Sequence, residues 1–302
     1  MNYSVIIPHK NSPDLLARCI DSIPLRKDIE IIVVDDNSDE SLKPQIKRSG
    51  LHIILTSEGR GAGYARNIAL RKAKGQWLVF ADADDFFLPE AFTAFDDHLN
   101  SQADIIFFAS NSIFSDTGQP ANRQMTVMPY LNAYKAEDKH SEYILRLNYF
   151  EPWGKMIRRE MVEQHNILFD EVRWANDVMF STKIGVFAHS IEVDTKEVYC
   201  ITIAKGSLIH QRSLESRRCR YEVMLRTNQY LREVGLKQYQ HSIMYSLRRA
   251  AKFGPKALID FIKLGRKYHA NFFIGAGQWF SNAWKSIWHN EDKGREKYIV
   301  KS

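Results

Sequence analysis

Three carboxylates follow a strongly apolar run in this chain. Residues 77–81 are Trp-Leu-Val-Phe-Ala, and Asp82, Asp84 and Asp85 come next. The run is typical of a buried strand, and acids at its end lie at the carboxyl edge of an open α/β sheet, where such sheets bind ligands. Carboxylates this close repel each other unless a cation or proton lies between them. Because hard oxygen ligands favour Mg²⁺ or Mn²⁺, the pattern predicts a divalent-metal site; the alternative is a helix cap before Pro89.

A second strand pattern also ends in acids. Residues 29–34 are almost continuously apolar, and Asp35 and Asp36 follow them, before Asn37 and Ser38. A carboxylate at this edge can accept a hydrogen bond from a ribose or from a base N–H. The alternative is a simple turn, because Asp-Asn-Ser is typical of turns. Two acidic strand ends on one sheet edge favour a binding site.

Glycines cluster in residues 59–67, where a helix pattern begins. The spacing differs from the dinucleotide fingerprint because Tyr64 stands in the place of the third glycine and the cluster follows the third strand, so no nicotinamide cofactor is expected. Glycines that open a helix carrying Arg66 can place backbone N–H groups and a guanidinium near a pyrophosphate. The alternative is a flexible loop with a surface arginine.

Asp177 is a candidate general base. It begins a helix pattern and follows the aromatic and polar residues Trp174 to Asn176. An ordinary aspartate is ionised at neutral pH and can accept a proton from a hydroxyl within hydrogen-bond reach. The alternative is an acid that caps the helix or stabilises its first turn, and the spacing alone does not choose between the two.

Composition and length describe a globular protein. The chain has 302 residues and is 44% hydrophobic, enough for one large domain with an appendage. Its cysteines, Cys19, Cys200 and Cys219, are widely spaced and predict a reducing compartment without a disulfide framework. We find neither a signal-peptide pattern nor an apolar run of the roughly 18 residues that a membrane span needs. A cytoplasmic location is therefore expected.

The hydrophobic pattern predicts an α/β fold, with a mostly parallel sheet covered by helices on both faces. Strands are expected at 4–7, 29–34, 51–55, 77–81, 104–108, 191–193 and 198–203. Helices are expected at 13–23, 62–74, 89–99, 158–164 and 178–187, with a loop at 111–140 and a helical region beyond 205.

Basic charge is concentrated in the C-terminal third. Residues 205–302 contain 20 Lys and Arg against 7 Asp and Glu, a net +13, whereas the rest contains 22 against 29, a net −7. The lysines Lys252, Lys256, Lys263 and Lys267 fall on one helical face beside Leu258, Ile259 and Ile262, and Trp279, Trp284 and Trp288 recur at helical spacing with Lys285. This pattern predicts helices that lie on an anionic membrane surface.

Two other roles would also suit the basic region. Its helices could pack on the rest of the protein and leave a solvated lysine face. They could also bind the phosphates of a nucleic acid. No recognised nucleic-acid motif accompanies the charge, and the acidic sheet edge would repel DNA, so no nucleic-acid partner is expected.

The motifs, taken in order, resemble family 2 glycosyltransferases of the GT-A fold. The resemblance rests on Ser-Val-Ile-Ile-Pro at 4–8, Ile-Ile-Val-Val-Asp-Asp-Asn-Ser at 31–38, Ala-Arg-Asn at 65–67 and the segment 73–85. Segments 152–160, 167–170 and 176–178 resemble the acceptor-side half of bacterial members that build capsule or lipopolysaccharide. The resemblance covers roughly residues 3–210 and leaves out the basic tail.

The resemblance implies roles on the donor side. Pro8 and Asp36 would line the nucleoside pocket, with Asp36 on the base or ribose, and Arg66 would approach the diphosphate. Asp82 and Asp84 would form the Asp-x-Asp motif for Mn²⁺ or Mg²⁺. In that motif Asp84 binds the ion directly, and Asp82 lies nearer the ribose or a metal-bound water.

On the acceptor side, Asp177 stands where the family keeps its catalytic base. The chain departs from the family at His9-Lys10, which replace a small polar and aromatic pair, and at Asn176, where a Glu often precedes the base. His210 could be an additional metal or phosphate ligand, although a lone histidine is more often structural.

The expected function is that of an inverting, metal-dependent glycosyltransferase. It would move a sugar from a nucleotide sugar, expected to be a UDP-sugar, to a hydroxyl of a polysaccharide or of a lipid-linked saccharide. Residues 1–110 would bind the donor, 111–204 the acceptor, and 205–302 would form the basic helical region, at the inner face of the cell membrane. The alternatives are an inactive sugar-nucleotide binder and, less favoured, a nucleic-acid-binding protein.

Overall fold

A computed structural model describes residues 1–203 and 213–274 of the chain. It divides into two compact units, Met1–Ala204 and Lys205–Ser302. The first unit contains one sheet and its helices, so the α/β prediction is confirmed. The further division of this unit at residue 110 stays a prediction.

The sheet has eight strands in the order β3-β2-β1-β4-β7-β6-β8-β5. The strands are β1 (Tyr3–His9), β2 (Ile29–Asp36), β3 (Leu51–Thr56), β4 (Trp77–Phe80), β5 (Phe86–Phe87), β6 (Ile105–Phe114), β7 (Lys155–Arg158) and β8 (Ile191–Ile203). Strands β3, β2, β1 and β4 are parallel, whereas β7 runs antiparallel to both β4 and β6. The sheet is therefore mixed, with a parallel half that carries the acidic strand ends.

Seven α-helices belong to the described part of the first unit and three to the described part of the second. In the first unit they are α1 (Pro13–Asp21), α2 (Ala62–Leu70), α3 (Ala91–Asp97), α4 (Met128–Ala133), α5 (Lys139–Asn148), α6 (Arg159–Gln164) and α7 (Val178–Phe187). The described helices of the second unit are α8 (Leu214–Glu233), α9 (Met244–Ala251) and α10 (Pro255–Lys267).

The parallel half of the sheet forms because its strands are apolar throughout. Every residue of β2 and β4 is buried, as expected for strands that are covered on both faces. Helix α1 begins with Pro13, a residue favoured in the first helical turn, and buries Leu16, Cys19 and Ile20 on one face. Strands β2 and β4 and helix α1 thereby hold the acidic strand ends at the carboxyl edge of the sheet.

A buried carboxylate closes the opposite, amino edge of the sheet. Glu30 accepts hydrogen bonds from Ser4 Oγ at 2.5 Å, from the Lys74 N–H at 2.6 Å and from the Gly75 N–H at 3.2 Å. A Cβ at Gly75 would lie only 2.4 Å from the Ser4 nitrogen, so this close approach requires glycine. The network attaches the turn before β4 to β1 and β2.

The predicted loop or irregular segment at 111–140 is wrong at both ends and at one helix within it. Strand β6 continues to Phe114, α4 lies within the segment, and α5 begins at Lys139. The two strands predicted at 191–193 and 198–203 are one strand, β8, whose pairing with β6 shifts register around Ala109. The intervening polar residues, which interrupt the apolar pattern, lie at this irregularity.

The second unit has its own small core among its described helices. Tyr221, Leu225, Ile243, Phe261 and Leu264 are buried together there. Among the described residues, no helix combines the length and the apolar character needed to cross a bilayer. His210 and the tryptophan pattern around Lys285 lie outside the described residues.

We expect Glu30→Ala to reduce the free energy of unfolding by about 1–3 kcal/mol, because it removes the acceptor of the Ser4 hydroxyl and leaves Ser4 Oγ as the remaining acceptor for the N–H groups of both Lys74 and Gly75. The matched control is Glu40→Ala. Glu40 is 88% exposed and its ion pair with Lys43 should contribute less than about 1 kcal/mol. Urea unfolding of both variants measures the difference, and equal losses would contradict this role of Glu30.

Candidate functional site

The acidic residues after β4 form a tight turn at the carboxyl edge of the sheet. The Asp85 N–H donates to the Asp82 carbonyl oxygen at 3.0 Å, and the Asp82 N–H donates to the Tyr199 hydroxyl at 2.8 Å. The helix-cap alternative is wrong, because α3 begins at Ala91 and Glu90 occupies its cap position. The half-buried side chains of Asp82 and Asp84 are therefore placed by a turn instead of a helix.

Asp84 and Asp85 lie in different surroundings within this turn. Asp85 is buried and accepts a hydrogen bond from the Thr202 N–H at 2.7 Å; burial, together with the charges of Asp84 and Asp82, raises its pKa well above the ordinary value. Burial and the charge of Asp82 also raise the pKa of Asp84, to about 6, although Arg18 opposes the shift. Asp85 attaches the turn to β8. Asp84 is a carboxylate whose ionised form a nearby cation would stabilise.

Arg66 connects this turn to the segment before α7. Its buried guanidinium donates from Nη2 to Asp82 Oδ1 at 2.5 Å and from Nη1 to Asn176 Oδ1 at 2.8 Å. The guanidinium carbon also lies 5.3 Å from the centre of the Phe169 ring. The surface-arginine alternative is therefore wrong, and Arg66 brings Asp82 next to the residue that precedes Asp177.

The glycine cluster has a different role from the one expected. Asp36 is buried and accepts hydrogen bonds from the Arg60 N–H at 2.9 Å and the Gly61 N–H at 2.7 Å. These two N–H groups therefore point at Asp36, which corrects the expectation that the loop presents them to a pyrophosphate. Gly63 serves packing, because a Cβ there would lie 2.1 Å from the Asp170 carbonyl oxygen. Pro8, in β1, is partly exposed beside Val34 of β2.

Asp177 lies at the start of α7 and is partly exposed. Within the described part of the chain, its side chain makes no capping hydrogen bond to this helix, so the capping alternative has no support. Burial raises the pKa of Asp177 to about 6, and the charge of Glu151 adds to the rise whereas that of Arg66 opposes it. A carboxyl group with this pKa is mostly ionised at neutral pH and is a stronger base than an ordinary aspartate.

Asn67, which the sequence reasoning assigned no role, holds the segment before Asp177. Its side chain accepts from the Phe169 N–H at 2.8 Å and donates to the Phe169 carbonyl oxygen at 3.0 Å. The Phe169 ring stacks on Phe180 of α7, with ring centres 3.8 Å apart, and contacts Phe80 of β4. Helix α2 thus fixes the position of α7 relative to β4.

A buried lysine holds the loop that carries Glu151, whose charge acts on Asp177, and the sequence patterns did not identify this role. Lys155 Nζ donates to the carbonyl oxygens of Tyr149 at 2.6 Å and Glu151 at 2.7 Å, and it lies 4.4 Å from the centre of the Tyr149 ring. Burial lowers the pKa of Lys155 to about 7. The only available signal was the motif Pro-Trp-Gly-Lys, which does not show that the lysine is buried.

His9, one of the departures from the family pattern, belongs to a buried network. Its Nδ1 lies 2.7 Å from Asp35 Oδ2, and its Nε2 accepts from the Ser12 N–H at 3.1 Å. Because Nε2 accepts, we place the proton on Nδ1, which then donates to Asp35. Asp35 also accepts from the N–H and Oγ of Ser38. The network holds together the loops that follow β1 and β2.

The residues present fit a divalent cation that is shared with a ligand. Among the described residues, no group of three or more His, Cys, Asp and Glu side chains is arranged to hold a metal ion. Asp84 and Asp82 supply one or two hard oxygen ligands. Burial and the charge of Asp82 raise the pKa of Asp84 to about 6, so a cation beside it would favour its ionised form. This is the donor set with which Mg²⁺ or Mn²⁺ binds together with substrate phosphates.

Residues 4–165 match the family model described as "Glycosyl transferase family 2". The chain therefore belongs to glycosyl transferase family 2, and the recognition made from its motifs is confirmed. The chain also resembles EpsH of Bacillus subtilis (strain 168), which is named as a glycosyltransferase. The two are 25% identical over 224 residues, which cover 69% of this chain and 62% of EpsH.

TarS of Staphylococcus aureus (strain Mu50) is another relative, named poly(ribitol-phosphate) beta-N-acetylglucosaminyltransferase. It is 25% identical over 213 residues, covering 66% of this chain and 35% of TarS. The chain therefore spans less than two thirds of the length of both relatives.

Solved structures show the same fold. The S. aureus TarS 1-349 complex with UDP-GlcNAc has a TM-score of 0.62 at 22% identity, covering 87% of this chain and 81% of that one. Mannosyltransferase PcManGT from Pyrobaculum calidifontis, in complex with GDP-Man and Mn²⁺, has a TM-score of 0.52 at 15% identity, covering 96% of this chain and 81% of that one. These likenesses agree with the predicted GT-A fold.

We expect Glu151→Gln to lower the pKa of Asp177 from about 6, because Glu151 is the largest charged contributor to its rise. Carbon-13 NMR titration of the carboxyl groups, assigned with Asp177→Asn, measures the change. The control is Glu163→Gln, which removes the charge of an exposed glutamate of α6 that pairs with Arg159 and should leave the Asp177 titration in place. An unchanged midpoint in Glu151→Gln would contradict the electrostatic coupling.

Proposed function

We propose that the protein transfers a sugar from a nucleoside diphosphate sugar, with a UDP-sugar as the donor, to a hydroxyl group of a saccharide. The observation that carries the proposal is the Arg66 bridge, which gathers the acidic turn and the Asp177 segment at one edge of the sheet. Membership of family 2 supports the reaction class. The TarS complex with UDP-GlcNAc supports the choice of nucleotide.

The donor would lie across the ends of β1, β2 and β4. We assign Pro8 and Asp36 to the nucleoside, Asp82 to the ribose or to a metal-bound water, and Asp84 to direct contact with Mn²⁺ or Mg²⁺. When bound, the cation supplies positive charge that stabilises the leaving diphosphate. PcManGT, which has been solved with Mn²⁺, supports a metal-dependent fold of this kind.

Arg66 would contribute positive charge near the diphosphate from its position beside Asp82. In this structure its two hydrogen bonds go to Asp82 and Asn176. A buried guanidinium held in this way is oriented before the donor binds, and preorganised charge of this kind favours the negative charge that develops on a leaving group.

Asp177 would remove the proton from the acceptor hydroxyl. Attack of the resulting oxygen on the anomeric carbon, from the face opposite to the diphosphate, inverts the anomeric centre in one displacement. General-base assistance contributes about 10²- to 10⁴-fold in rate. Because the pKa of Asp177 is raised to about 6, the base form is lost as the pH falls through that value, and the rate of transfer should fall with it.

The proposed acceptor is a polysaccharide or a lipid-linked saccharide. TarS is named for transfer to poly(ribitol phosphate), a polymeric acceptor, and supports the first choice. The alternative is a protein that binds a sugar nucleotide without transferring the sugar. If the protein binds a sugar nucleotide but releases no UDP from it, the result would favour this alternative.

We expect Asp84→Asn to lower Mn²⁺-dependent release of UDP from UDP-sugars by at least about 100-fold, because it removes the ligand that would hold the cation at the diphosphate. The assay measures UDP liberated from UDP-GlcNAc and UDP-Glc, with water or a saccharide as acceptor. Asp14→Asn, which neutralises an exposed aspartate of α1, is the control and should retain wild-type rates. Wild-type rates in Asp84→Asn would contradict the assignment.

We also propose that the basic unit attaches the protein to the inner face of the cell membrane. Residues 213–274 contain 13 Lys and Arg against 4 Asp and Glu. The four lysines predicted to share a face, Lys252, Lys256, Lys263 and Lys267, are all exposed. Ile259, 53% exposed, and Phe253, 45% exposed, lie near them, whereas Leu258 and Ile262 are half-buried. Exposed apolar residues among lysines suit an anionic bilayer surface.

The double variant Lys256→Glu/Lys263→Glu should bind phosphatidylglycerol vesicles at least about tenfold more weakly, since each lysine near an anionic surface contributes about 1 kcal/mol. Flotation with phosphatidylglycerol vesicles measures the strength of binding. The double variant Lys47→Glu/Lys72→Glu makes the same charge change at exposed positions of the first unit and should float normally. Equal flotation of both variants, or retention on DNA in preference to vesicles, would contradict the proposal.

A further inference from the structure

A charged side chain is buried at the start of β7, among aromatic rings. Lys155 is 1% exposed. Its Nζ lies 4.4 Å from the centre of the Tyr149 ring and 5.3 Å from the centre of the Phe107 ring. Burial lowers the pKa of Lys155 to about 7, and the charges of Glu151 and Asp177 oppose that shift. The protein therefore keeps a cationic group at a position where its charge is costly.

Packing does not explain a lysine at this position. A methionine has similar length and would fill the space between the two rings without the cost of burying a charge. The ammonium adds hydrogen bonds to the carbonyl oxygens of Tyr149 at 2.6 Å and Glu151 at 2.7 Å. Both acceptors belong to loop 149–154, which joins α5 to β7. Lys155 therefore fixes the backbone of this loop.

Loop 149–154 is attached to the helix that begins after Asp177. The Phe150 carbonyl oxygen accepts a hydrogen bond from Ser181 Oγ, and the Ser181 N–H donates to the Asp177 carbonyl oxygen at 2.9 Å. Residues four apart lie on the same face of a helix, so the loop contacts the face of α7 on which Asp177 lies. Burial raises the pKa of Asp177, and the charge of Glu151, the next residue of the loop, is the second cause of the rise.

The same loop contacts the donor side less directly. The Trp153 ring stacks on Tyr199 with ring centres 5.6 Å apart, and the Tyr199 hydroxyl accepts from the Asp82 N–H. The acidic turn has two further attachments, through Asp85 to β8 and through Arg66 to Asp82. A loosened loop should therefore disturb α7 more than it disturbs the nucleotide site.

We propose that Lys155 is a positioning residue for sugar transfer, which fixes loop 149–154 so that α7 presents Asp177 to the acceptor. The inference rests on the proposed function, in which Asp177 is the base, and it adds a residue that acts on Asp177 through Phe150 and Ser181. A displacement of about 1 Å at a reacting group can lower a rate about 100-fold, so contacts outside the site can control the reaction.

The test compares Lys155→Met with Arg158→Met, a matched change at the other end of β7. Arg158 donates to the carbonyl oxygens of Ser101 at 2.6 Å and Ala103 at 3.0 Å, and its guanidinium carbon lies 4.4 Å from the centre of the Trp77 ring. Both variants thus remove a cation that binds two carbonyl oxygens beside an aromatic ring. Only Lys155→Met does so at the loop that contacts α7.

The assay measures Mn²⁺-dependent release of UDP from UDP-GlcNAc and UDP-Glc, with water as the acceptor. Lys155→Met should lower kcat at least about tenfold, while KM and the Kd of UDP from calorimetry stay within about twofold. Arg158→Met should keep kcat within about twofold, although it also lowers the unfolding temperature. Amide hydrogen exchange in residues 149–154 should become faster in Lys155→Met and stay unchanged in Arg158→Met.

Ser181→Ala tests the connection without changing the lysine, and it serves equally if Lys155→Met does not fold. It removes the hydrogen bond between α7 and Phe150 and should lower kcat at least about threefold, with the Kd of UDP unchanged. The double variant Lys155→Met/Ser181→Ala should be no slower than Lys155→Met alone, because both changes break the same connection.

The contrary outcomes separate this inference from the function on which it rests. Equal losses of kcat in Lys155→Met and Arg158→Met, or wild-type kcat in Ser181→Ala, would overturn the positioning role. Weaker binding of UDP that accounts for the whole loss in Lys155→Met would also overturn it, because Lys155 would then act on the donor side. A wild type that neither binds UDP nor releases it would count against the proposed function itself.

Discussion

The arrangement of the site depends on how carboxylates are kept close together at one sheet edge. Asp82, Asp84, Asp85 and Asp177 all lie there. Burial raises the pKa values of Asp84, Asp85 and Asp177, and the charge of Asp82 adds to the rise in each of them. Arg66 is the buried cation that offsets part of this repulsion through its ion pair with Asp82. The pKa values of Asp84 and Asp177 remain raised to about 6 despite it. The charges at this edge therefore favour a further cation beside Asp84, and they make Asp177 a stronger base than an ordinary aspartate.

A few specific contacts of helix α2 and of Phe169 maintain this arrangement. Gly63 allows α2 to approach Asp170, Asn67 binds the backbone of Phe169, and the Phe169 ring packs between β4 and α7. Arg66 lies on the same helix, between these contacts. A displacement of α2 would consequently change the Asp82 contact and the position of α7 together.

The sequence was sufficient to predict the parallel half of the sheet and the acids at its edge. Strands such as β2 are apolar throughout because both faces are covered, and the acids follow where the strands end. The antiparallel strand β7 and helix α5 were not predicted. Strand β7 has four residues and inserts between β4 and β6, so its place depends on contacts that are distant in sequence. The roles of Asn67 and Lys155 were missed for the same reason, since their partners are backbone atoms that no sequence pattern identifies. The hydrogen bonds of Asp36 to the glycine loop likewise join strand ends that only the fold brings together.

The central claim is that Asp84 binds a divalent cation together with the diphosphate of the donor. The most direct measurement is electron paramagnetic resonance of free Mn²⁺ during titration with the protein, with and without UDP. The account predicts that UDP and the wild-type protein together remove the free Mn²⁺ signal at concentrations where UDP alone does not, and that Asp84→Asn fails to do so. Equal uptake of Mn²⁺ by Asp84→Asn and the wild type, or uptake that does not depend on UDP, would contradict it.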